Sequence, residues 1–185
     1  MKTYKVKDLM VKLSEYATVD REATLFEAVM ALEKAQEEFD KNKYQHRAIL
    51  VYDDDKKVVG KVSILDVLTA LEPKYKDIGD PGILSRSGFN PQFLRDMREQ
   101  YALWDGPLHD ISRKAYHIKV KDFMEMPSEG EFVDGEVTLD EAIHQLVVGH
   151  HHSLLVTEGG NIVGILRMVD VFNKVCEFIK ECTPE

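Results

Sequence analysis

Apolar residues recur along this chain at the spacing of helices in two separate segments. Each segment follows a Thr that has a Glu three residues later, at Thr24 and at Thr138. That pattern is the capping box of a helix start, so two helices are expected to begin there. Their buried faces are predicted from the helical spacing of apolar side chains, which are Leu25, Ala28, Val29 and Leu32 in the first segment and Leu139, Ala142, Ile143, Leu146 and Val147 in the second.

After each predicted helix come two short apolar runs separated by a polar turn. The runs are AILVY and VVGKVSI around DDDKK in the first half, and SLLV and IVGILRM around EGGN in the second. Runs of this kind predict two strands joined by a tight turn. A last amphipathic helix follows in each half. The predicted order in each half is strand, helix, strand, strand, helix.

The two halves are copies of one unit. The VKDLM that begins at Val6 matches the VKDFM that begins at Val120, a separation of 114 positions. Beyond the first helix the separation falls to 104, where the VVG that ends at Gly60 matches the IVG that ends at Gly164. The first copy is therefore longer than the second between its first helix and its last strand.

This arrangement resembles the CBS-domain pair, also called the Bateman module. The resemblance rests on VKDLM and VKDFM, on the capped helices, on RAILVYD and HSLLVTE, and on GKVSILD and GILRMVD. It implies an α/β (α+β) fold of two CBS repeats, each a small three-stranded sheet with helices on one face, packed sheet to sheet as a pseudo-twofold pair. We expect repeat 1 over residues 1–72, a partly helical insert over 73–116, and repeat 2 over 117–185.

The insert between the copies carries a helix signal of its own. Asn90 followed by Pro91 is typical of a helix start. Apolar side chains then follow at helical spacing, at Phe93, Met97, Tyr101 and Trp104. Because this stripe holds the only Trp of the chain, the insert is expected to pack either on its own module or on a partner.

The composition is that of an ordinary soluble globular protein, with 44% hydrophobic and 31% charged residues and a net charge of −9. The negative balance argues against a nucleic-acid partner, since binding to the phosphate backbone relies on clustered Lys and Arg. No apolar run approaches the roughly 18 residues of a membrane span, and MKTYKVKDLM lacks the apolar core of a secretory signal. The two cysteines lack the spacing of a zinc or redox motif. We therefore expect a cytoplasmic protein without a membrane partner.

Ser63 and Asp66 have the spacing S-x-x-D and are the first candidates for ligand chemistry. In CBS proteins that bind adenosine compounds, an Asp so placed accepts two ribose hydroxyls, and the Ser or Thr meets phosphate. The resemblance therefore implies a site here for AMP, ADP, ATP or S-adenosylmethionine. The same spacing is also a plain capping box, which needs no ligand. The two interpretations are compatible.

The second copy departs from this pattern, because Arg167 takes the position of Ser63 while Asp170 is retained. Arg has donors and no acceptor, so it cannot cap a helix start. Three roles for Arg167 stay open. It contacts a phosphate, it pairs with Asp170 and closes the site, or it lies solvated at the surface.

Basic residues cluster where the second strand of each copy begins, at His46 and Arg47 in the first copy and at His150, His151 and His152 in the second. In nucleotide-binding CBS proteins, basic side chains here reach phosphates of a ligand held by the Asp of the opposite repeat. The resemblance assigns the first pair to the Asp170 site and the last two histidines to the Asp66 site. An unliganded, partly exposed His run is the alternative. A metal site is disfavoured because adjacent strand residues point to opposite faces.

The expected ligand-binding set also includes one residue near the first strand of each copy. The full set is Ser63, Asp66, His151, His152, Asp170, Arg167, His46, Arg47, Thr18 and Val133. No residue is assigned to catalysis or to a metal, since the chain has no Gly-rich phosphate loop, no G-x-S-x-G and no H-E-x-x-H. No cofactor is expected, and the protein is not expected to be an enzyme.

Two functions from different classes fit these features. The first is a regulatory module that binds an adenine nucleotide or another adenosyl compound in clefts between the repeats, so that occupancy alters the surface shown to a protein partner. The second is a ligand-free interaction or structural module whose clefts are plugged by side chains. CBS pairs commonly dimerise through their helices, so the amphipathic last helices imply a homodimer in either case.

Overall fold

The computed structural model describes residues 4–38, 46–78, 90–105 and 110–181. The first half contains β1 (Val11–Lys12), β2 (Thr18–Asp20), α1 (Leu25–Glu38), β3 (Ala48–Tyr52), β4 (Val58–Ser63) and α2 (Ile64–Leu71). Two helices of the insert follow, α3 (Pro91–Gln100) and α4 (Ile111–His117). The second half contains β5 (Phe132–Asp134), α5 (Leu139–Gly149), β6 (Ser153–Glu158), β7 (Asn161–Arg167) and α6 (Met168–Glu181). The repeated order of strand, helix, strand, strand, helix is confirmed.

Side-chain caps are present at three of the helix starts described above, those of α1, α2 and α3. At the start of α1 the backbone N–H of Thr24 donates to the carboxylate of Glu27 at 2.6 Å, and the Glu27 N–H donates to the Thr24 hydroxyl at 3.2 Å. Asn90 caps α3 by accepting from the N–H of Phe93 at 2.8 Å. Thr138 precedes α5 without a side-chain cap, so the second predicted capping box is not formed.

The strands form two mixed sheets, one for each repeat. The first has the order β2-β3-β4, with β2 parallel to β3 and β3 antiparallel to β4. The second has the order β1-β7-β6-β5 and so contains one strand more than expected. That strand, β1, comes from the first half of the chain and pairs antiparallel with β7. A strand of two residues is too short to give an alternating pattern, which is why the sequence did not predict it.

Each repeat receives the first segment of the other copy. We call these two stretches the opening segments, residues 4–12 and 118–126. The N–H of Val6 donates to the carbonyl of Val137 at 3.0 Å, and at the equivalent place the N–H of Val120 donates to Ala23 at 2.9 Å. Val6 is buried in the core of repeat 2, and Val120 in the core of repeat 1. Neither core is complete without the other copy.

Alternate residues of the strands face two different layers. In β3, Ile49 and Val51 point to the helices and form a core with α1, whereas Leu50 between them points to the other repeat. Leu50 lies in one cluster with Leu155 of β6 and Ile165 of β7. The period of two in a strand therefore gives each sheet one helix-covered face and one face between the repeats.

The insert packs on repeat 1 through its C-terminal part. Leu103 is buried, and the backbone N–H of Trp104 donates to the carboxylate of Glu72, the last residue of repeat 1, at 2.7 Å. Ala115 of α4 lies in a cluster with residues of α1 and α2. Phe93 of α3 is exposed. The predicted apolar stripe thus seals against its own module only at the Trp104 end.

Substituting Gly164→Ala should destabilise the protein, because β1 passes directly over this position. A Cβ there would lie 2.5 Å from the carbonyl oxygen of Val11, which is backbone and cannot move alone. We expect a loss of about 2 kcal/mol, as for other overpacked sites, and a fall in melting temperature of roughly 4 to 8 °C.

Gly60→Ala is the matched control for this experiment, since Gly60 holds the equivalent position in repeat 1. Its Cβ would meet the sulfur of Met124 at 2.8 Å, the end of a flexible side chain, and the Glu125 carbonyl at 3.1 Å. This variant should lose less stability than Gly164→Ala. Equal melting temperatures for Gly164→Ala and the parent protein would show that β1 does not pack as described.

Candidate functional site

Two equivalent places in the repeats, each at the junction of a repeat's last strand and last helix, carry the expected site residues, and we call the surroundings of each a cleft. The first cleft is bounded by Ser63 and Asp66. Here the carboxylate Oδ2 of Asp66 accepts from both the N–H and the hydroxyl of Ser63, each at 2.6 Å. The N–H of Asp66 donates in return to the Ser63 hydroxyl at 3.2 Å. The capping interpretation is therefore correct for this pair, and it fixes the orientation of the Asp66 carboxylate at the N-terminus of α2.

The cap uses only one oxygen of the Asp66 carboxylate. Within the part of the chain that the structure describes, no group donates a hydrogen bond to the Oδ1 of Asp66. Both Ser63 and Asp66 are partly accessible to solvent. The geometry thus leaves one oriented carboxylate oxygen available to a hydroxyl of a bound molecule.

An ion pair crosses the first cleft from one repeat to the other. Lys61 lies two residues before Ser63 on β4 and therefore on the same face of the strand. Its ammonium group donates to the carboxylate of Glu131, just before β5, and both side chains are mostly buried. Burial alone would raise the pKa of Glu131, but the hydrogen bonds from Lys61 and Ser128 outweigh it and hold that pKa below its usual value.

His151 stands on the side of the first cleft that repeat 2 contributes. A Cβ placed on Gly130 would lie 3.5 Å from the Nε2 of His151, so the imidazole sits beside the residue that precedes Glu131. His151 is partly exposed, and Gly130 is exposed. The imidazole is thus held next to the ion pair that crosses this cleft.

The second cleft is bounded by Arg167 and Asp170 and differs sharply from the first. The Nε of Arg167 donates to the Oδ2 of Asp170 at 2.5 Å, and an Nη donates to the Oδ1 at 2.7 Å. Only 5% of Arg167 is exposed. Of the three roles that the sequence left open for Arg167, the structure shows pairing with Asp170.

Tyr16 and His46 complete the second cleft. Their rings meet edge to face with centroids 4.3 Å apart, and only 1% of His46 is exposed. Burial raises the pKa of Tyr16 to about 12 and lowers the pKa of His46 to about 4, and in both cases the charges of Arg167 and Asp170 also act on the ring. The expected association of His46 with Asp170 thus fits the geometry.

Four other expected site residues have less support. Arg47 and His152 are exposed, and neither side chain forms a hydrogen bond or ion pair with a described residue. Thr18 pairs with Leu50 in the sheet and is half-buried. Val133 is buried in the core of repeat 2. A ligand contact at Val133 stays a prediction, and its buried side chain leaves only the backbone of this residue to make it.

Three residues of the clefts were missed by sequence reasoning. Tyr16 and Glu131 belong to no motif, and Lys61 lies in GKVSILD without a role assigned to it. Each has a dissimilar residue at the matching position of the other copy. A position-by-position comparison of the two copies would have singled them out, since Tyr16 matches Gly130 at the separation of 114. Differences between the copies, rather than their shared motifs, mark the clefts.

The described residues contain neither a metal-ligating cluster nor a helix able to span a membrane. No three or more His, Cys, Asp or Glu side chains converge there in a group that would hold a metal ion. None of the helices in the same ranges combines the length and the apolar character needed to cross a membrane.

Comparison with known proteins gives a family match in both halves. The family model described as CBS domain matches residues 6–73 and 120–177. No curated protein is similar enough in sequence to count as a relative. The structure of CBSX2 from Arabidopsis thaliana is similar at 19% identity and a TM-score of 0.61, with 98% of this chain and 100% of that chain covered.

Two further solved structures are similar to the whole chain. CBSX2 in complex with AMP matches at 19% identity and a TM-score of 0.58, over 95% of this chain and 98% of that one. A CBS domain-containing protein of unknown function from Bacillus anthracis matches at 18% identity and a TM-score of 0.61, over 94% of each chain. At these identities the likeness concerns the fold.

Acidification from about pH 7.5 to about pH 5.0 should cost stability through His46. Burial lowers the pKa of His46 to about 4 in the folded chain, whereas an unfolded His titrates near 6.5. Between these values the unfolded chain binds a proton that the folded chain does not. The free energy of unfolding therefore decreases as the pH is lowered, by about 2 kcal/mol over this interval. Urea denaturation at the two pH values measures it.

His46→Gln should remove this contribution, so the variant should lose about 2 kcal/mol less than the parent protein over the same interval. His144→Gln, at an exposed position of α5, serves as the control and should follow the parent. Equal losses in His46→Gln and the parent would mean that His46 is not held neutral in the second cleft.

Proposed function

The chain belongs to the CBS-domain family as a tandem CBS-pair protein, and from this we propose that it is a regulatory module that binds an adenine nucleotide or another adenosyl compound in the first cleft. One observation carries the proposal. Asp66 presents a carboxylate that is fixed by its cap, partly accessible, and free at Oδ1 of hydrogen bonds from described residues. A ribose diol is the partner that such a carboxylate suits, because each hydroxyl donates a charge-assisted hydrogen bond.

Two features of the surroundings support the same ligand class. The N-terminus of α2 lies at Ser63, where backbone N–H groups favour a phosphate or another electron-rich group. His151 and Lys61 stand on opposite walls, one on each repeat. A CBS-pair protein of the same fold forms a complex with AMP, which supports adenosyl binding as a property within the family.

Regulation would follow from the position of the cleft between the repeats. The Lys61–Glu131 ion pair joins β4 of repeat 1 to the segment before β5 of repeat 2. A ligand held by Asp66 and touching this pair would bind one arrangement of the repeats better than another, and that difference is what shifts a conformational equilibrium. We assign no reaction to the protein, and we propose a cytoplasmic setting consistent with the free thiol of Cys176.

The helices offer a surface for self-association. Apolar side chains on the last helix of each repeat are exposed, among them Leu65 at 70% and Phe172 at 63%. Apolar patches of this kind on a soluble protein mark interfaces. We propose that the protein is a homodimer that buries these faces, with a further protein partner as the receiver of the ligand signal.

Asp66→Ala should abolish most of the thermal stabilisation by ligand. A ligand present at a hundredfold excess over its dissociation constant stabilises the folded chain by about 2.7 kcal/mol, which is roughly 5 to 10 °C for a chain of this length. Differential scanning fluorimetry with adenosine, AMP, ADP, ATP and S-adenosylmethionine measures this shift. In Asp66→Ala the shift should fall to near zero for every compound that stabilises the parent.

The control for this variant is Glu27→Ala, which breaks the same type of capping box at the start of α1. Both variants should melt below the parent protein without ligand, but Glu27→Ala should keep the full ligand-induced shift. If none of the compounds stabilises the parent protein, the proposal of adenosyl sensing is wrong.

Leu65→Asp should disrupt the proposed dimer by placing a charge on the exposed face of α2. Multi-angle light scattering at high micromolar concentration should show a dimer for the parent protein and a monomer of 21.2 kDa for the variant. Met126→Asp is the control, since Met126 is 79% exposed but lies outside the helices. A monomeric parent protein would contradict the homodimer.

A further inference from the structure

We propose that the second cleft is closed by Tyr16 and Arg167 of the chain itself, so that each chain binds a single adenosyl ligand, in the first cleft. This inference rests on the proposed function and adds the number of sites and the residues that set it. It makes the two clefts unequal in kind, one a ligand site and the other a structural contact between the repeats.

Arg167 occupies the position that Ser63 holds in the first cleft, three residues before the Asp. The guanidinium donates to both oxygens of Asp170, at 2.5 and 2.7 Å. In the first cleft, by contrast, described residues donate to only one oxygen of Asp66. A ribose diol at Asp170 would have to displace a bidentate, charge-assisted pair and leave a buried Arg charge without it, which is strongly unfavourable.

Tyr16 occupies the position that Gly130 holds in the first cleft. The Tyr16 ring is buried and lies edge to face on His46, with the centroids 4.3 Å apart. Gly130 carries no side chain, and a Cβ there would already contact the Nε2 of His151 at 3.5 Å. The phenol of Tyr16 therefore fills a place in the second cleft, and the equivalent place in the first cleft has no side chain.

The four side chains of the second cleft form two contacting pairs, Tyr16 with His46 and Arg167 with Asp170. The charges of Arg167 and Asp170 also act on the Tyr16 phenol and on the His46 imidazole. At three equivalent pairs the residue of the first cleft is the more accessible one. Ser63, Gly130 and His151 are partly or fully exposed, whereas Arg167, Tyr16 and His46 are buried.

Because the copies match position by position, the closing residues can be exchanged for their counterparts. Tyr16→Gly with Arg167→Ser gives the second cleft the residues of the first at the two positions that close it. Isothermal titration calorimetry with AMP, and separately with S-adenosylmethionine, counts the sites. We expect about one site per chain in the parent protein and about two in the double variant. When Asp66→Ala is added, the parent protein should have no site and the double variant about one site per chain.

A second variant keeps the inference testable if the double variant does not fold, as judged by far-ultraviolet circular dichroism. Ser63→Arg places in the first cleft the side chain that closes the second, at a half-exposed position. It should abolish binding while the circular dichroism spectrum stays that of the parent protein. Binding that survives Ser63→Arg unchanged would overturn the inference.

The outcomes separate this inference from the function on which it rests. Two sites in the parent protein, or one site in both the parent and the folded double variant, would overturn the closed cleft and leave adenosyl binding in place. A parent protein without a site and a double variant with one would support the closed cleft and contradict binding at Asp66. If neither protein binds either compound, both proposals are wrong.

Discussion

The exchange of opening segments between the two repeats is the contact on which the rest of the structure depends. Val6 belongs to the core of repeat 2, and Val120 belongs to the core of repeat 1. Because each core is completed by the other copy, neither repeat buries its apolar surface alone, and the two sheets are fixed face to face. The clefts follow from this arrangement, since each is bordered by the last strand of one repeat and the first strand of the other.

The two clefts share one scaffold and differ in a few side chains. Both retain an Asp at the start of the last helix, and both have a His at the start of the second strand. What differs is whether that Asp is already paired. Arg167 donates a hydrogen bond to each oxygen of Asp170. The Asp of the second cleft therefore already has a partner within the chain. The two copies supply equivalent positions, and under the proposed function the side chains that differ at a few of them give the clefts different roles.

The sequence predicted the features that depend on local chemistry and on repetition. The capping boxes at Thr24 and Ser63 and the N-cap at Asn90 are local, and the structure contains all three. The exchange of opening segments could not be predicted, because the residues involved lie far apart in the chain and their backbone hydrogen bonds leave no pattern. The pairing of Arg167 was one of three open roles, and the only sequence signal of Tyr16 is its difference from Gly130 at the matching position of the other copy.

A crystal structure of the protein grown with AMP tests the central claim, that one cleft is open and the other is filled by the chain. We expect electron density for the nucleotide against Asp66, with its ribose hydroxyls near the Oδ1 atom. We also expect an intact bidentate contact between Arg167 and Asp170, with the Tyr16 ring still on His46. Nucleotide density against Asp170, with Arg167 displaced from its carboxylate, would contradict a first cleft that is open and a second that is filled.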